Sequence, residues 1–93
     1  MAFFIPRTNV IESHEGFRVE TLGRTGIRFV EPDRALLLDS EMLAGSAGLI
    51  LYSDRIKDEL TGARAVISID DRKEIVEKIR AAFRHRGLEI EVV

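Results

Sequence analysis

The segment at residues 70–87 constrains the fold most strongly, because it has the pattern of a helix with one apolar side. Its apolar residues follow one another at steps of one, three, three and one, and they are Ile75, Val76, Ile79, Ala82 and Phe83. This spacing puts all of them on a single stripe of an α-helix. We expect Asp70 or Asp71 to cap its N-terminus and Gly87 to end it in the left-handed conformation. Such a helix needs a second layer that covers its stripe, and a β-sheet is the economical choice.

Alternating apolar and polar residues predict a strand directly after the helix and several strands before it. In the tail, Leu88, Ile90 and Val92 face one side, while the intervening glutamates face the other. Turn residues at 23–26 and 32–33 favour tight connections between the earlier strands. Those strands are expected at residues 8–13, 17–21, 27–31, 34–39 and 49–53, and an extension of the last one to Ile56 stays open.

These elements together predict the fold class. We expect an α+β fold in which a curved antiparallel β-sheet, built as a meander, packs on one main C-terminal helix and is followed by a final strand. With 93 residues the chain has the size of one domain, so we expect a single α+β domain over residues 1–93. The segment at residues 40–48 stays open between a helical turn and a loop, and the segment at 66–69 between a strand and an apolar approach to the helix.

Composition excludes several classes of function. The chain has no cysteine, which rules out disulfides, thiolate zinc sites and a cysteine nucleophile. It has no apolar run of about 18 residues, so we expect no membrane span. The apolar start at residues 1–5 ends at Pro6 and Arg7, unlike a signal peptide, and we expect a cytoplasmic location.

The charge pattern argues against nucleic acid as a partner. Arg80, Arg84 and Arg86 form a small basic group near the helix end, but the formal net charge of the chain is −2. The aromatic residues fall mostly at inward-facing positions, whereas an RNA-binding sheet exposes aromatics for base stacking. The two histidines, His14 and His85, have no spacing that groups them with further ligands, so we expect no metal and no cofactor.

Two acids near the middle of the chain are candidates for a site. Asp39 and Glu41 flank Ser40 where a predicted strand ends. They could act as an acid–base pair or take part in hydrogen bonding to a ligand. The favoured interpretation is turn chemistry, in which Asp39 or Ser40 caps the following backbone. The glycine-containing segment at residues 45–48 lacks the lysine and length of a phosphate loop, so we expect a flexible loop there.

Arginines on the predicted hairpins form a second candidate site. Arg18, Arg24 and Arg28 lie on or beside two strands that are expected to pair, with Glu20 between them in sequence. Arg34 follows on the next strand, close to Glu31. The favoured interpretation is ion pairing on a solvated sheet surface, where each pair contributes little to stability. The functional alternative is a charged face that recognises a protein partner.

The middle of the chain resembles a known family. A Gly-Phe-Arg-Val-Glu strand, a Leu-Gly-Arg-Thr-Gly hairpin and an Ile-Arg-Phe-Val-Glu strand precede the run Arg-Ala-Leu-Leu-Leu-Asp-Ser-Glu-Met-Leu at residues 34–43. An apolar strand, a helix and a final strand follow. Over roughly residues 10–92 this order resembles the immunity protein 74 family of small bacterial proteins. The resemblance implies a non-enzymatic inhibitor of a bacterial toxin that works by surface complementarity, with Glu41 as the best position to carry over.

The leading hypothesis is therefore a protein-binding module, and specifically an immunity protein that neutralises a toxin. Its expected binding residues are Arg18, Arg24, Arg28, Asp39 and Glu41. A structural or oligomer-forming domain is a first alternative. A small ligand-binding protein or enzyme that uses Asp39 and Glu41 is a second. The sequence fixes neither the partner nor the oligomeric state.

Overall fold

A single sheet with a helix over one of its faces forms the architecture of the computed structural model, in which residues 2–43 and 48–93 are described. The helix, α1, spans Ile69–His85. The seven strands of the sheet are β1 (Phe3–Arg7), β2 (Val10–Ser13), β3 (Arg18–Thr21), β4 (Gly26–Glu31), β5 (Arg34–Met42), β6 (Gly48–Asp58) and β7 (Glu89–Val92).

The strands lie side by side in the order in which they occur in the chain. Each strand from β2 to β6 runs antiparallel to the strand before it. Because α1 carries the chain back along the sheet, β7 then lies parallel to β6. The predicted α+β class, with a meander, one C-terminal helix and a final strand, is confirmed, and the parallel last strand makes the sheet mixed.

The core lies between α1 and one face of the sheet. Ile27 and Phe29 of β4 point toward the helix, and Leu36 and Leu38 of β5 pair with them in register. The helix contributes its predicted stripe, which is buried throughout: Ile75, Val76, Ile79, Ala82 and Phe83. Burial of each large apolar side chain contributes about 1.5–3 kcal/mol, so this layer stabilises the fold.

The two ends of α1 differ in how well the sequence predicted them. The Ser68 side chain accepts a hydrogen bond of 3.1 Å from the Asp71 N–H and caps the N-terminus. The expected cap at Asp70 or Asp71 is therefore wrong, because both acids already lie in the first helical turn. At the other end Gly87 has a φ of 82°, as expected for a left-handed stop.

β5 and β6 extend beyond their predicted limits, since β6 continues to Asp58, and β1 was missed. β1 includes Pro6, which is tolerated because an edge strand needs no hydrogen bond on its outer side. β5 continues through Ser40 to Met42, so Ser40–Met42 is neither a loop nor a helical turn; the possible loop at residues 45–47 lies outside the described residues. Residues 66–68 are not a strand but the approach to the helix.

Candidate protein-binding surface

The sheet has a second face that α1 does not cover, which we call the open face. It is marked by one row of residues in register across the four strands β3 to β6: Glu20, Arg28, Leu37 and Lys57. Their neighbours along each strand point to the core, because side chains alternate between the two faces of a sheet. The open face therefore carries charged groups beside half-buried Leu37.

Glu20 is the centre of an ion-pair group on this face, the open-face network of Arg18, Glu20, Arg28 and Glu59. Its Oε2 lies 2.6 Å from Arg18 Nε and 3.4 Å from Arg28 Nη1. Arg28 Nε in turn lies 2.7 Å from Glu59 Oε1. The ion pairing predicted between the hairpin arginines and Glu20 is thus present, and it brings Arg18 and Arg28 together.

The network holds its groups in the charged state. Only 11% of the Glu20 side chain is exposed. This burial by itself raises the pKa of Glu20, but the hydrogen bond from Arg18 and the charge of Arg28 outweigh it and hold the pKa below its usual value. The close approach of the Glu59 carboxylate raises the pKa of Arg28 against the opposing effect of burial. The arrangement can therefore present two fixed guanidinium groups to a partner.

Asp39 and Glu41 form a second group with two residues of β6, which we call the bulge cluster: Asp39, Glu41, Tyr52 and Arg55. Leu38 pairs with Ile56 and Ser40 with Leu51, so residues 52–55 of β6 stand opposite Asp39 alone. This β-bulge brings its side chains against β5.

The contacts of the bulge cluster are polar and exposed. The Tyr52 hydroxyl donates a hydrogen bond of 3.1 Å to Glu41 Oε2, and this bond raises the pKa of Tyr52. The Arg55 guanidinium carbon lies 4.7 Å from the centre of the Tyr52 ring, a cation–π contact, and Arg55 Nη1 lies 3.9 Å from Asp39 Oδ2. The expected turn chemistry at Asp39 and Ser40 is wrong, because both residues belong to β5 and Ser40 is buried.

Arg24 lies apart from both groups in the turn between β3 and β4. Its carbonyl oxygen accepts a 3.1 Å hydrogen bond from the Met42 N–H, which places the turn beside the end of β5. Its side chain is exposed and has no ion pair within the described part of the chain. The five predicted site residues are therefore divided among one network, one cluster and one turn.

Sequence reasoning missed Glu59, Tyr52 and Arg55 as members of these groups. Glu59 follows directly after β6, which ends at Asp58, whereas the strand was expected over residues 49–53 with an extension left open only as far as Ile56, so the approach of Glu59 to Arg28 could not be anticipated. The bulge adds residues to β6, so side chains there do not alternate regularly between the two faces of the sheet. The alternation could therefore not place Tyr52 and Arg55 beside Asp39 and Glu41. A signal was present in Ile56, an apolar residue that follows the strand-forming run Leu49–Tyr52 and left an extension of the strand open.

The two histidines lie against aromatic rings, apart from both groups. His14 and His85 pack against phenylalanine rings in a tilted arrangement, at 5.0 Å from Phe4 and 5.6 Å from Phe3 between ring centres. Among residues 2–43 and 48–93, no three histidine or acidic side chains group as a metal site would require. In the same part of the chain, no helix has the length and apolar character needed to cross a membrane.

The structure defines a small α+β protein with ion-paired side chains on an uncovered sheet face. The model of the family described as Immunity protein 74 matches residues 19–93, and the chain belongs to this family. The resemblance inferred from the residues is thereby confirmed. Searches of curated proteins and of solved structures found no significant match.

Proposed function

We propose that this chain is an immunity protein that neutralises a bacterial toxin by binding it, without catalysis. The observation that carries the proposal is the family match over residues 19–93. The open face supplies the surface that such a role requires, because its charged groups are held in place by one another before any partner arrives. Groups that are already ordered lose less conformational entropy on binding.

Within this role we assign the contacts to the predicted residues. Arg18 and Arg28 present the positive charge of the open-face network, and Arg24 extends it at the adjoining turn. Asp39 and Glu41 present negative charge in the bulge cluster. A surface with both signs in fixed positions favours one partner, because a wrong partner would place like charges against each other.

The proposal also covers the extent and location of the protein. We assign residues 1–93 to one domain, since a continuous apolar cluster joins α1 to strands from β2 to β7. We place it in the cytoplasm, because a chain without cysteine forms no disulfides and needs no oxidising compartment.

Co-expression tests the proposal directly. Toxin candidates encoded near the gene are induced one at a time in a host cell with and without this chain, and growth is measured. Wild-type protein is expected to restore growth, and Glu41→Lys is expected to weaken the protection at least tenfold in the toxin dose tolerated, about 1.4 kcal/mol of binding.

A matched variant controls for the change in charge. Glu15→Lys makes the same substitution in an exposed turn residue that takes part in neither group. It is expected to protect like the wild type. No protection by the wild-type chain would refute the function, whereas equal protection by both variants would refute the assignment of Glu41 alone. Thermal unfolding of each purified variant confirms that both are folded.

A further inference from the structure

The outer edge of β6 is covered in two separate pieces. β7 and the residue after it reach as far as Ser53, whose N–H donates a 3.1 Å hydrogen bond to the Val93 carbonyl. The segment 63–65 covers residues 56–58 of the same edge through backbone hydrogen bonds and one bridge pair. Residues 54–55 lie between the two pieces, so this edge of the sheet has a notch there.

Arg72 of α1 lies beside this notch, at a helix position where the pattern predicts an apolar side chain. It precedes Ile75 by three residues and Val76 by four, so it lies on the buried stripe of the helix. Its side chain is half-buried and lines two adjoining depressions that share Ser53. A charged group in such a place lowers stability unless a partner compensates the loss of water.

In the part of the chain that the structure describes, the charge of Arg72 has no compensating partner. Its Nε is buried and makes no hydrogen bond there, and neither Arg72 nor Lys73 takes part in an ion pair with these residues. The opposite flank of the helix is different, because Lys78 Nζ lies 3.1 Å from Glu31 Oε2. Two positive charges at the notch are therefore available to another molecule.

The larger of the two depressions has an excess of positive charge. Its volume is about 220 Å³, and Arg72, Lys73 and Arg80 line it together with Glu77. Arg80 donates a 2.7 Å hydrogen bond to Glu77, so these two charges neutralise each other and those of Arg72 and Lys73 are left. A carboxylate between them can accept hydrogen bonds from both, and its pairing with a guanidinium through two parallel bonds is among the strong polar interactions.

Acids around the notch decide which kind of anion fits. Asp54 lines the smaller depression and Glu77 the larger one, and Asp70 and Glu74 are exposed on the first turns of α1. A nucleic acid or an anionic membrane would bring many negative charges against these acids, which is unfavourable. A single carboxylate that projects from a protein surface meets the two unpaired cations with far less repulsion.

We propose that an aspartate or glutamate side chain of the partner protein enters this notch and pairs with Arg72 and Lys73. This rests on the proposed function for the identity of the partner as a toxin, and it names a contact on the side of the sheet that α1 covers. The bulge cluster includes Tyr52 and Arg55 from the same stretch of β6, so a partner that covers the notch would lie beside it. The carboxylate supplies the compensation that the charge of Arg72 lacks within the described part of the chain.

A peptide titration tests the site without the toxin. The probe is the acetylated and amidated tripeptide Gly-Glu-Gly, added at millimolar concentration and low salt to the full chain labelled with nitrogen-15. The Nε–H signal of Arg72 and the backbone amide signals of Arg72 and Lys73 are expected to shift. The tripeptide Gly-Gln-Gly, which lacks the charge, is the matched control and is expected to shift none of them. Arg24, an exposed arginine in the turn between β3 and β4, reports any attraction that is not specific to the notch.

Other results of the titration would overturn the proposal. These are no shift at Arg72 and Lys73, an equal shift of the Arg24 signals, or equal shifts with both peptides. Dimethyl phosphate, which is singly charged like the glutamate peptide, is added in a second series. If it binds at the notch more tightly than that peptide, the site would be assigned to a phosphodiester of nucleic acid or lipid, and the proposal would also be wrong.

A pair of variants tests the same contact with the toxin. Arg72→Met removes the charge but keeps an apolar stem, and Arg7→Met makes the same change at an exposed position of the edge strand β1. Arg72→Met is expected to unfold at the temperature of the wild type or above it, because an uncompensated charge is lost. It is expected to lose at least about tenfold in toxin affinity relative to Arg7→Met.

The outcomes separate this site from the proposed function. If wild type neutralises the toxin and the two variants bind it equally, the notch is not a contact site while the proposed function stands. A lower unfolding temperature of Arg72→Met without loss of affinity would show a structural role for Arg72 and would also refute the site. No neutralisation by wild type would refute the proposed function, and the peptide titration would then decide on the site alone.

Discussion

Two ion-pair groups of the same chemistry lie on opposite sides of the sheet, and they connect different parts of the molecule. The open-face network, centred on Glu20, joins β3 and β4 to Glu59. The other, which we call the helix network, consists of Glu31, Arg34, Asp71 and Lys78. In it, Arg34 donates hydrogen bonds of 2.6 and 2.8 Å to both oxygens of Asp71, and it also binds Glu31 at 2.6 Å. The helix network therefore connects α1 to the sheet by ion pairs, while the open-face network lies on the face that α1 does not cover.

The two networks contain arginines that the sequence analysis treated as one set. Arg18, Arg28 and Arg34 all appeared as hairpin arginines beside glutamates. Arg34 makes a bidentate pair with a carboxylate of the helix, and such pairs are the stronger kind. Its role is structural, so Arg18 and Arg28 are the members of the set that remain available to a partner.

The largest effect on stability is expected from the helix network. Arg34→Ala would leave the mostly buried Glu31 and the partner Asp71 without their guanidinium. We expect a loss of about 2 kcal/mol in the free energy of unfolding, the typical cost of removing hydrogen bonds between charged groups. Urea unfolding at neutral pH measures it. Arg18→Ala on the open face is the matched control, with an expected loss of less than about 1 kcal/mol. Equal losses would show that the two networks do not differ in structural role.

Acid is expected to weaken the same connection. Burial raises the pKa of Glu31, but hydrogen bonds from Arg34 and Lys78 outweigh it and lower the pKa, and the Arg34 hydrogen bond lowers the pKa of Asp71. Stability from a lowered pKa is complete above the unfolded-state values, 4.5 for Glu31 and 3.8 for Asp71, and disappears as pH falls through the folded-state values.

Unfolding free energies measured from neutral pH down to about pH 3 test this dependence. We expect wild type to lose about 1 kcal/mol more than Arg34→Ala over that range, because the variant has already lost the pairing of Arg34 with Glu31 and Asp71 and keeps only that of Lys78 with Glu31. Parallel curves for the two proteins would contradict this account of the helix network.

Substitution of Glu20, at the centre of the open-face network, is expected to reduce stability less than Arg34→Ala does. Its main effect is expected on toxin binding. Glu20→Gln keeps the shape of the side chain but removes the charge that holds Arg18 and Arg28. We expect a loss of about 1 kcal/mol in the free energy of unfolding. Toxin protection in co-expression should fall further than this loss explains, because Arg18 loses its ion-pair partner and Arg28 keeps only Glu59. Protection that stays at the wild-type level would argue against the open-face network as the binding surface.

The smallest effect concerns the bulge cluster. The hydrogen bond to Glu41 raises the pKa of Tyr52 above its usual value of about 10. Glu41→Gln removes that charge and is expected to lower the pKa of Tyr52 with almost no change in stability. Tyr52 is the single tyrosine of the chain, so ultraviolet absorbance during an alkaline titration reports on it alone. An unchanged midpoint would mean that Glu41 and Tyr52 are not in contact in solution.

Features that depend on residues close together in the sequence were predicted, and features that depend on contacts between distant residues were not. The stripe of α1 and the stop at Gly87 are local patterns, and both were predicted. The pairing of Arg18 and Arg28 with Glu20 followed from one hairpin and was also predicted. Contact between Arg34 and Asp71 joins residues 37 positions apart, and no local pattern encodes it.

The errors have equally specific causes. Ser40 is a small polar residue at an inward position of β5. The apolar alternation of Leu36 and Leu38 does not continue at Ser40, and the strand was therefore predicted to end at residue 39. Pro6 concealed β1, although an edge strand accommodates proline. At α1, Ser68 precedes the acids and takes the capping role because its backbone is still extended.

Strand order that follows chain order also affects how the protein can fold during synthesis. Every strand from β2 to β6 finds its partner in the strand made just before it, so each hairpin can form while later residues are still being translated. β7 can pair with β6 only after α1 has been synthesised and has packed on the sheet, because the helix connects the two parallel strands. A nascent chain that pauses before Ile69 would expose the apolar side of a nearly finished sheet, and the last 25 residues, from Ile69 to Val93, would then cover it in one step.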